Sequence, residues 1–374
     1  MASIYLHIPF CKQACNYCNF HFSTQTSYVQ QMVDCLLQEL EMRKHELNDE
    51  PLSSVYFGGG TPSILSAQHL DQLFNGISKH YSINTNAEFT LEANPDDINK
   101  EKLTFLKTTP VNRFSMGVQS FFDEDLQWMN RAHQASEAEK SIRLIQEFGF
   151  DKITIDLIYG SPTLSMAHWE QNLSKVLELN LNHLSAYCLT AEPQTALQHQ
   201  IQKGSLAPLD EEKAALQFDL MVDFLEGNHF EQYEISNFAR NQEYAIHNTS
   251  YWQNKPYLGI GPSAHSFNGH QRSWNVSNNQ TYMRQIQAGI LPAEVEELTE
   301  ENKINEYIMT GLRTIWGCDW AYLNEKFNAD LVVQLEEKLN HMVAEGKIEN
   351  NSQNFKLTPS ARILADGIAS DLFF

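Results

Sequence analysis

Along the first 230 residues, short apolar runs alternate with stretches of helical period. Residues 4–8 read as a strand, and residues 28–47 then place Val29, Met32, Val33, Leu36, Leu37 and Leu40 at helical spacing. Further strands are expected at 54–57, 88–93, 113–119, 152–159 and 183–189. Helices are expected from Ser66 as N-cap to His80, and over 99–107, 136–148, 166–179 and 211–225. Ser136 and Glu139 have the spacing of a capping box. Six strand–helix units in series predict a parallel sheet with right-handed crossovers. They are too few to close an eight-stranded barrel. The fold class is therefore α/β, with a partial six-unit (β/α) barrel over residues 1–230.

Beyond Phe230 the rhythm changes. Residues 231–236 look like another strand, and residues 237–279 read as loop-rich, with Asn, Gly, Pro and aromatic residues. The acidic stretch 291–301 suggests a boundary, so residues 231–298 form an accessory strand-and-loop region and residues 299–374 a smaller C-terminal domain. In that last part, helices are expected at 302–315, 320–327 and 331–345, a hairpin at 347–349 and 354–357, and a terminal helix from Ser360. Helices with a small hairpin predict a winged-helix-like module.

Polar residues interrupt the expected strands near their C-terminal ends: Glu92, Gln119 and Asp156. Strands of a parallel sheet buried on both faces should be nearly all apolar, and the C-terminal face of such barrels carries the chemistry. Each residue alone could be a satisfied structural group; together they outline a pocket. Directly after the first strand come Cys11, Cys15 and Cys18, a C-x-x-x-C-x-x-C array. Three thiolates around a four-iron cluster leave one iron open to a small molecule, whereas electron-transfer clusters take four. A Cys3His zinc site using His21 is the alternative. Gly58-Gly59-Gly60-Thr61-Pro62 after the second strand allows close approach of backbone to a ligand, although tight turns also use such runs. Cys35, Cys188 and Cys318 stand alone in apolar contexts and are expected in the core.

Composition narrows the function classes. The chain has 374 residues, 42% of them hydrophobic, with 47 acidic against 26 basic side chains and a formal charge of −21. Such a field repels nucleic-acid phosphates and anionic headgroups. Six cysteines with no secretory leader suit a reducing compartment, and a cytoplasmic protein without a membrane span is expected. Residues 301–374 hold more acids than bases, so the winged-helix-like module does not imply DNA binding.

The cysteine array resembles that of the radical S-adenosylmethionine (SAM) superfamily. Tyr5-x-His7-Ile8-Pro9-Phe10-Cys11, the Gly58–Pro62 segment, Glu92-Ala93-Asn94-Pro95, Gly117-Val118-Gln119-Ser120 and Asp156-Leu157-Ile158-Tyr159-Gly160 are similar to oxygen-independent coproporphyrinogen III dehydrogenase and its relatives. The resemblance implies that Cys11, Cys15 and Cys18 ligate a [4Fe–4S] cluster. It implies SAM contacts from Tyr5, Tyr17, Gly59, Gly60, Thr61, Glu92, Gln119, Arg131 and Asp156, with Thr190 a further match. Two features depart from the dehydrogenase: Phe20 stands where it has a fourth cysteine, and only four residues precede Tyr5. His247-Asn248-Thr249-Ser250-Tyr251-Trp252 instead matches the H-N-x-x-Y-W motif of the HemW family. That resemblance implies a haem chaperone taking haem from a donor to apo-haem respiratory proteins. His247 is then the expected iron ligand, with His265 next. A homodimer and peripheral membrane contact are compatible with it. The alternative is a radical SAM decarboxylase acting on coproporphyrinogen III.

Overall fold

The computed structural model describes residues 2–374. Its first part is the expected alternation: β1 (Ala2–Ile8), α1 (Val29–Met42), β2 (Leu52–Gly59), α2 (Ala67–His80), β3 (Ile83–Ala93), α3 (Lys100–Leu106) and β4 (Arg113–Gln119). It continues with α4 (Asp123–Trp128), α5 (Ala135–Glu147), β5 (Lys152–Tyr159), α6 (Met166–Glu178), β6 (His183–Cys188), α7 (Ala196–Gln202) and α8 (Glu211–Gly227). The helix starts follow from local chemistry: Ser66, Asn99, Ser165 and Asp210 each accept a hydrogen bond from a first-turn amide. The start of α5 differs from expectation. Its capping box is Gln134 with Glu137, while Glu139 pairs with Arg143 and Lys175 on the helix surface. The short helices α4 and α7 have too few turns to show a period, and sequence reading missed them.

Strands β1 to β6 lie side by side in chain order, all parallel. β7 (Glu231–Glu234) falls within the expected strand at 231–236. Residues 237–279, expected as loop-rich, instead hold β8 (Asn237–Ala239), α9 (Ile246–Trp252), β9 (Tyr257–Ile260), β10 (His265–Phe267) and β11 (Gln271–Asn275), and α10 (Asn279–Gln287) and β12 (Ala293–Glu297) follow. Strands of three to five residues need only a neighbouring ladder, so they carry little pattern of their own. β9 joins β1 in parallel and β8 joins β6 antiparallel, extending the sheet on both sides to twelve strands. β12, inside the acidic stretch read as a boundary, is the edge strand on β11; Glu294, Glu296 and Glu297 keep it soluble there.

The accessory strands are held by a buried ionic knot. Glu39 on α1 is 0% exposed and accepts from Arg43 Nη1 (3.1 Å), Asn275 Nδ2 (2.7 Å), Tyr282 Oη (2.6 Å) and the Gly261 amide (2.8 Å). Arg43 also donates to the Gly259 carbonyl at 2.8 Å. The C-terminal part packs around its own core: α11 (Glu300–Leu312), β13 (Cys318–Asp319), α12 (Trp320–Lys326), α13 (Ala329–Ala344), β14 (Ile348–Asn350), β15 (Asn354–Leu357) and α14 (Ala365–Asp371). Its three strands form a separate small sheet. No helix among the described residues is long and apolar enough to cross a membrane.

Candidate functional site

Each of the first five strands carries a half-buried residue among buried neighbours, in its middle or towards its C-terminal end: Tyr5, Tyr56, Glu92, Gly117 and Asp156. Register sets them close together, with Tyr5 beside Tyr56, Glu92 beside Ser115 and Asp156 beside Ser185. Glu92 accepts from Tyr56 Oη at 2.7 Å and from the Gly59 amide. Burial, with Asp156 adding repulsion, still pushes its carboxyl up to about 7. Burial likewise raises Asp156 to about 7, against the Arg131 charge and the Ser185 and Ser115 hydroxyls. Gln119 ends β4 with φ +66°, after a register slip against β5 between Met116 and Gln119. Such a bulge re-aims the side chain that follows it.

The cysteines occupy the loop between β1 and α1 and are all half-buried free thiols. Thr61 Oγ1 donates to Cys11 Sγ at 3.5 Å, and Arg131 Nη1 donates to Cys15 Sγ at 3.4 Å. Arg131 is itself anchored by Nη2 on Asn94 Oδ1 (2.8 Å) and the Gly117 carbonyl (2.6 Å), while its buried Nε has no partner. Burial pushes Cys11 up to about 11 and Cys18 upward, each raised further by the neighbouring thiols. Deprotonating Cys11 and Cys18 therefore needs added positive charge, which an iron–sulfur cluster would supply. Among the described residues no three His, Cys, Asp or Glu side chains are grouped to hold a single metal ion. His21 has other partners: its Nε2 meets Asn279 Oδ1 at 2.7 Å and its ring stacks on His7. Tyr17 packs with the small core of Met129, Ile158, Leu189 and Leu197, near Arg131 and the thiols.

Sterics explain the glycines. Gly59 has φ +106°, and a Cβ there would lie 2.6 Å from His7 Nδ1; a Cβ on Gly60 would lie 2.6 Å from the Phe10 carbonyl oxygen. The Gly60 amide donates to Ile8 O (2.9 Å) and the Thr61 amide to Phe10 O (2.7 Å). These bonds fasten the glycine segment to the start of the cysteine loop. The structure thus brings together Tyr5, Tyr17, Gly59, Gly60, Thr61, Glu92, Gln119, Arg131 and Asp156 around the loop and strand ends, while Thr190 lies exposed beyond β6. Sequence reading missed Tyr56, whose hydroxyl holds Glu92; an aromatic residue inside a strand carries no signal that separates it from core.

A cavity of about 940 Å³ adjoins this site, within the usual size range of ligand pockets. Tyr5, Asn19 and Phe20 line it from β1 and the cysteine loop, and Tyr251, Trp252, Tyr257 and Phe267 from α9, β9 and β10. His247 is not on its wall. Only 2% exposed, it contacts Ser54 Oγ through Nδ1 (2.9 Å) and Tyr251 Oη through Nε2 (3.0 Å), and it stacks on Tyr56. Its amide and that of Ile246 donate to Glu88, which pins α9 to the sheet. Both ring nitrogens are thus engaged, and burial lowers the imidazole to about 3. His247 is thus buried behind the cavity wall, where it holds Tyr251.

Comparison with known proteins gives matches along the whole chain. The radical SAM superfamily matches residues 5–176 and the HemN C-terminal domain residues 298–364. "Heme chaperone HemW" of Bacillus subtilis is 33% identical over 371 residues, covering 98% of each chain. "Heme chaperone HemW" of Mycobacterium tuberculosis is 30% identical, covering 99% of this chain and 94% of that one. In structure, coproporphyrinogen III oxidase (HemN) from Escherichia coli superposes with a TM-score of 0.87 over 100% of this chain and 90% of its own, at 24% identity. At that identity the likeness speaks for the fold.

Proposed function

The chain belongs to the HemW family within the radical SAM superfamily, and from that premise we propose that it binds haem and delivers it to apo-haem proteins, respiratory ones among them. The observation that carries this reading is the aromatic-lined cavity of about 940 Å³ beside the cysteine loop, in a chain 33% identical to a haem chaperone over nearly its full length. The family implies a [4Fe–4S] cluster and SAM. The residues present suit both: Cys11, Cys15 and Cys18 would hold the cluster, with Thr61 donating to Cys11 Sγ and Arg131 to Cys15 Sγ. Tyr5, Tyr17, Gly59, Gly60, Thr61, Glu92, Gln119, Arg131 and Asp156 would contact SAM. Glu92 and Asp156 suit ribose hydroxyls as acceptors, and Arg131 suits a carboxylate. When bound, the cluster would supply one electron to the sulfonium of SAM. The chain's own part is to orient: Tyr56 and the Gly59 amide fix Glu92, and Asn94 and the Gly117 carbonyl fix Arg131. The reading places the protein in the cytoplasm, with a homodimer compatible.

Anaerobically reconstituted protein tests this directly. It should acquire a shifted Soret band with haem, pass that haem to an apo-haem protein, and show a SAM-dependent change in the electron paramagnetic resonance of its reduced cluster. Coproporphyrinogen III should remain unconverted with SAM and a reductant, since Phe20 stands where the dehydrogenase has its fourth cysteine. Formation of protoporphyrinogen would reject the chaperone in favour of the decarboxylase.

A further inference from the structure

We propose that His265, at the start of β10, is the imidazole that binds haem iron in the cavity, and that Arg272 on β11 takes one of the macrocycle's carboxylates. The inference rests on the haem-binding reading above and assigns its ligand. Three imidazoles line the cavity: His7, His21 and His265. His7 uses both nitrogens, on Tyr5 Oη (3.2 Å) and the His21 carbonyl (2.8 Å). His21 uses Nε2 on Asn279. His265 is exposed to the cavity, and its ring is seen only in a tilted contact with Trp274 at 6.1 Å. An iron ligand needs a free nitrogen lone pair at the cavity wall. Among the described residues His265 meets that requirement with neither ring nitrogen in a hydrogen bond, whereas His21 has only Nδ1 left and its ring is stacked on His7.

The hairpin supplies the rest of the geometry. His265 pairs with Trp274 and Phe267 with Arg272, so strand alternation puts all four side chains on one face. Two residues along that hairpin is about 7 Å, which carries the face from an iron on His265 towards the rim where a carboxylate would sit. Arg272 is the one cation among the described residues lining the cavity. It now pairs with Glu306 of α11 at 2.6 Å, an exchangeable, partly exposed partner. Burial and the Arg272 charge both lower the His265 pKa, which favours the neutral, metal-binding imidazole at pH 7. The H-N-x-x-Y-W segment contributes through Tyr251 and Trp252, which form the wall, while His247 secures Tyr251 from behind.

The test compares haem with metal-free protoporphyrin IX on the full chain. His265→Ala should weaken haem binding about tenfold or more and shift the Soret band, yet leave protoporphyrin binding unchanged. Free imidazole should restore the band in His265→Gly, an outcome that misfolding could not produce. Arg272→Gln should weaken both macrocycles alike. His247→Gln should keep the wild-type band position. If the band is untouched by His265→Ala but lost in a folded His247→Gln variant, the ligand assignment is overturned while haem binding stands. If wild type gives no haem band at all, the haem reading falls and this site with it.

Discussion

Glu92→Gln should stabilise the protein that lacks cluster and SAM, and should do so more at pH 8 than at pH 5. Burial at the end of β3, helped by Asp156, raises the Glu92 carboxyl from 4.5 to about 7, against hydrogen bonds from Tyr56 and Gly59. The folded chain therefore holds this proton more tightly than the unfolded chain. The resulting stability is present in full below pH 4.5 and is lost as pH rises through about 7. At about 1.4 kcal/mol per pKa unit, the ionised carboxylate costs the folded state roughly 3 kcal/mol above neutrality. Glutamine stays neutral and still offers an acceptor to the Tyr56 hydroxyl. The variant's advantage should thus grow from about 1 kcal/mol near pH 5 to about 3 kcal/mol near pH 8. Urea unfolding of both proteins, followed by circular dichroism across that window, measures it. An advantage that is flat with pH, or that shrinks towards pH 8, refutes the reasoning. Under the proposed function the same change removes an ionised acceptor for SAM, so stability gained and SAM affinity lost should travel together.

Two further outcomes follow from other parts of the molecule. Alanine at Cys11, Cys15 or Cys18 should abolish iron and sulfide uptake on anaerobic reconstitution, while Cys35→Ala should retain it because that thiol is buried on α1 against the Met283 carbonyl. Stoichiometric zinc without iron would point to the zinc reading instead. Arg43→Met should destabilise by about 3–5 kcal/mol in urea, because it leaves the buried Glu39 carboxylate without its cation. Adding Glu39→Gln should recover part of that loss, and additive losses would contradict the knot.

The alternation of strand and helix was legible in the chain because its causes are local. Apolar period, caps such as Ser66 and Asn99, and the polar breaks at Glu92, Gln119 and Asp156 all act within a few residues of themselves. The strands at 113–119 and 152–159 came out at their observed ends for that reason. The cysteine spacing was equally local, as a loop that returns on itself by bonds such as Ser23 N to Pro9 O. Tertiary structure decided what distance in sequence conceals. Residues 237–279 have no strong period, and become strands because β1 and β6 offer them open edges. Tyr56 became a partner of Glu92 only when β2 and β3 lay side by side. The motif points to His247 by residue type; in the fold Ser54, 193 residues earlier, and Tyr251 meet its two nitrogens. A motif names the residue types available to a site. Which of them keeps a free lone pair depends on hydrogen bonds to residues that only the folded chain brings within reach.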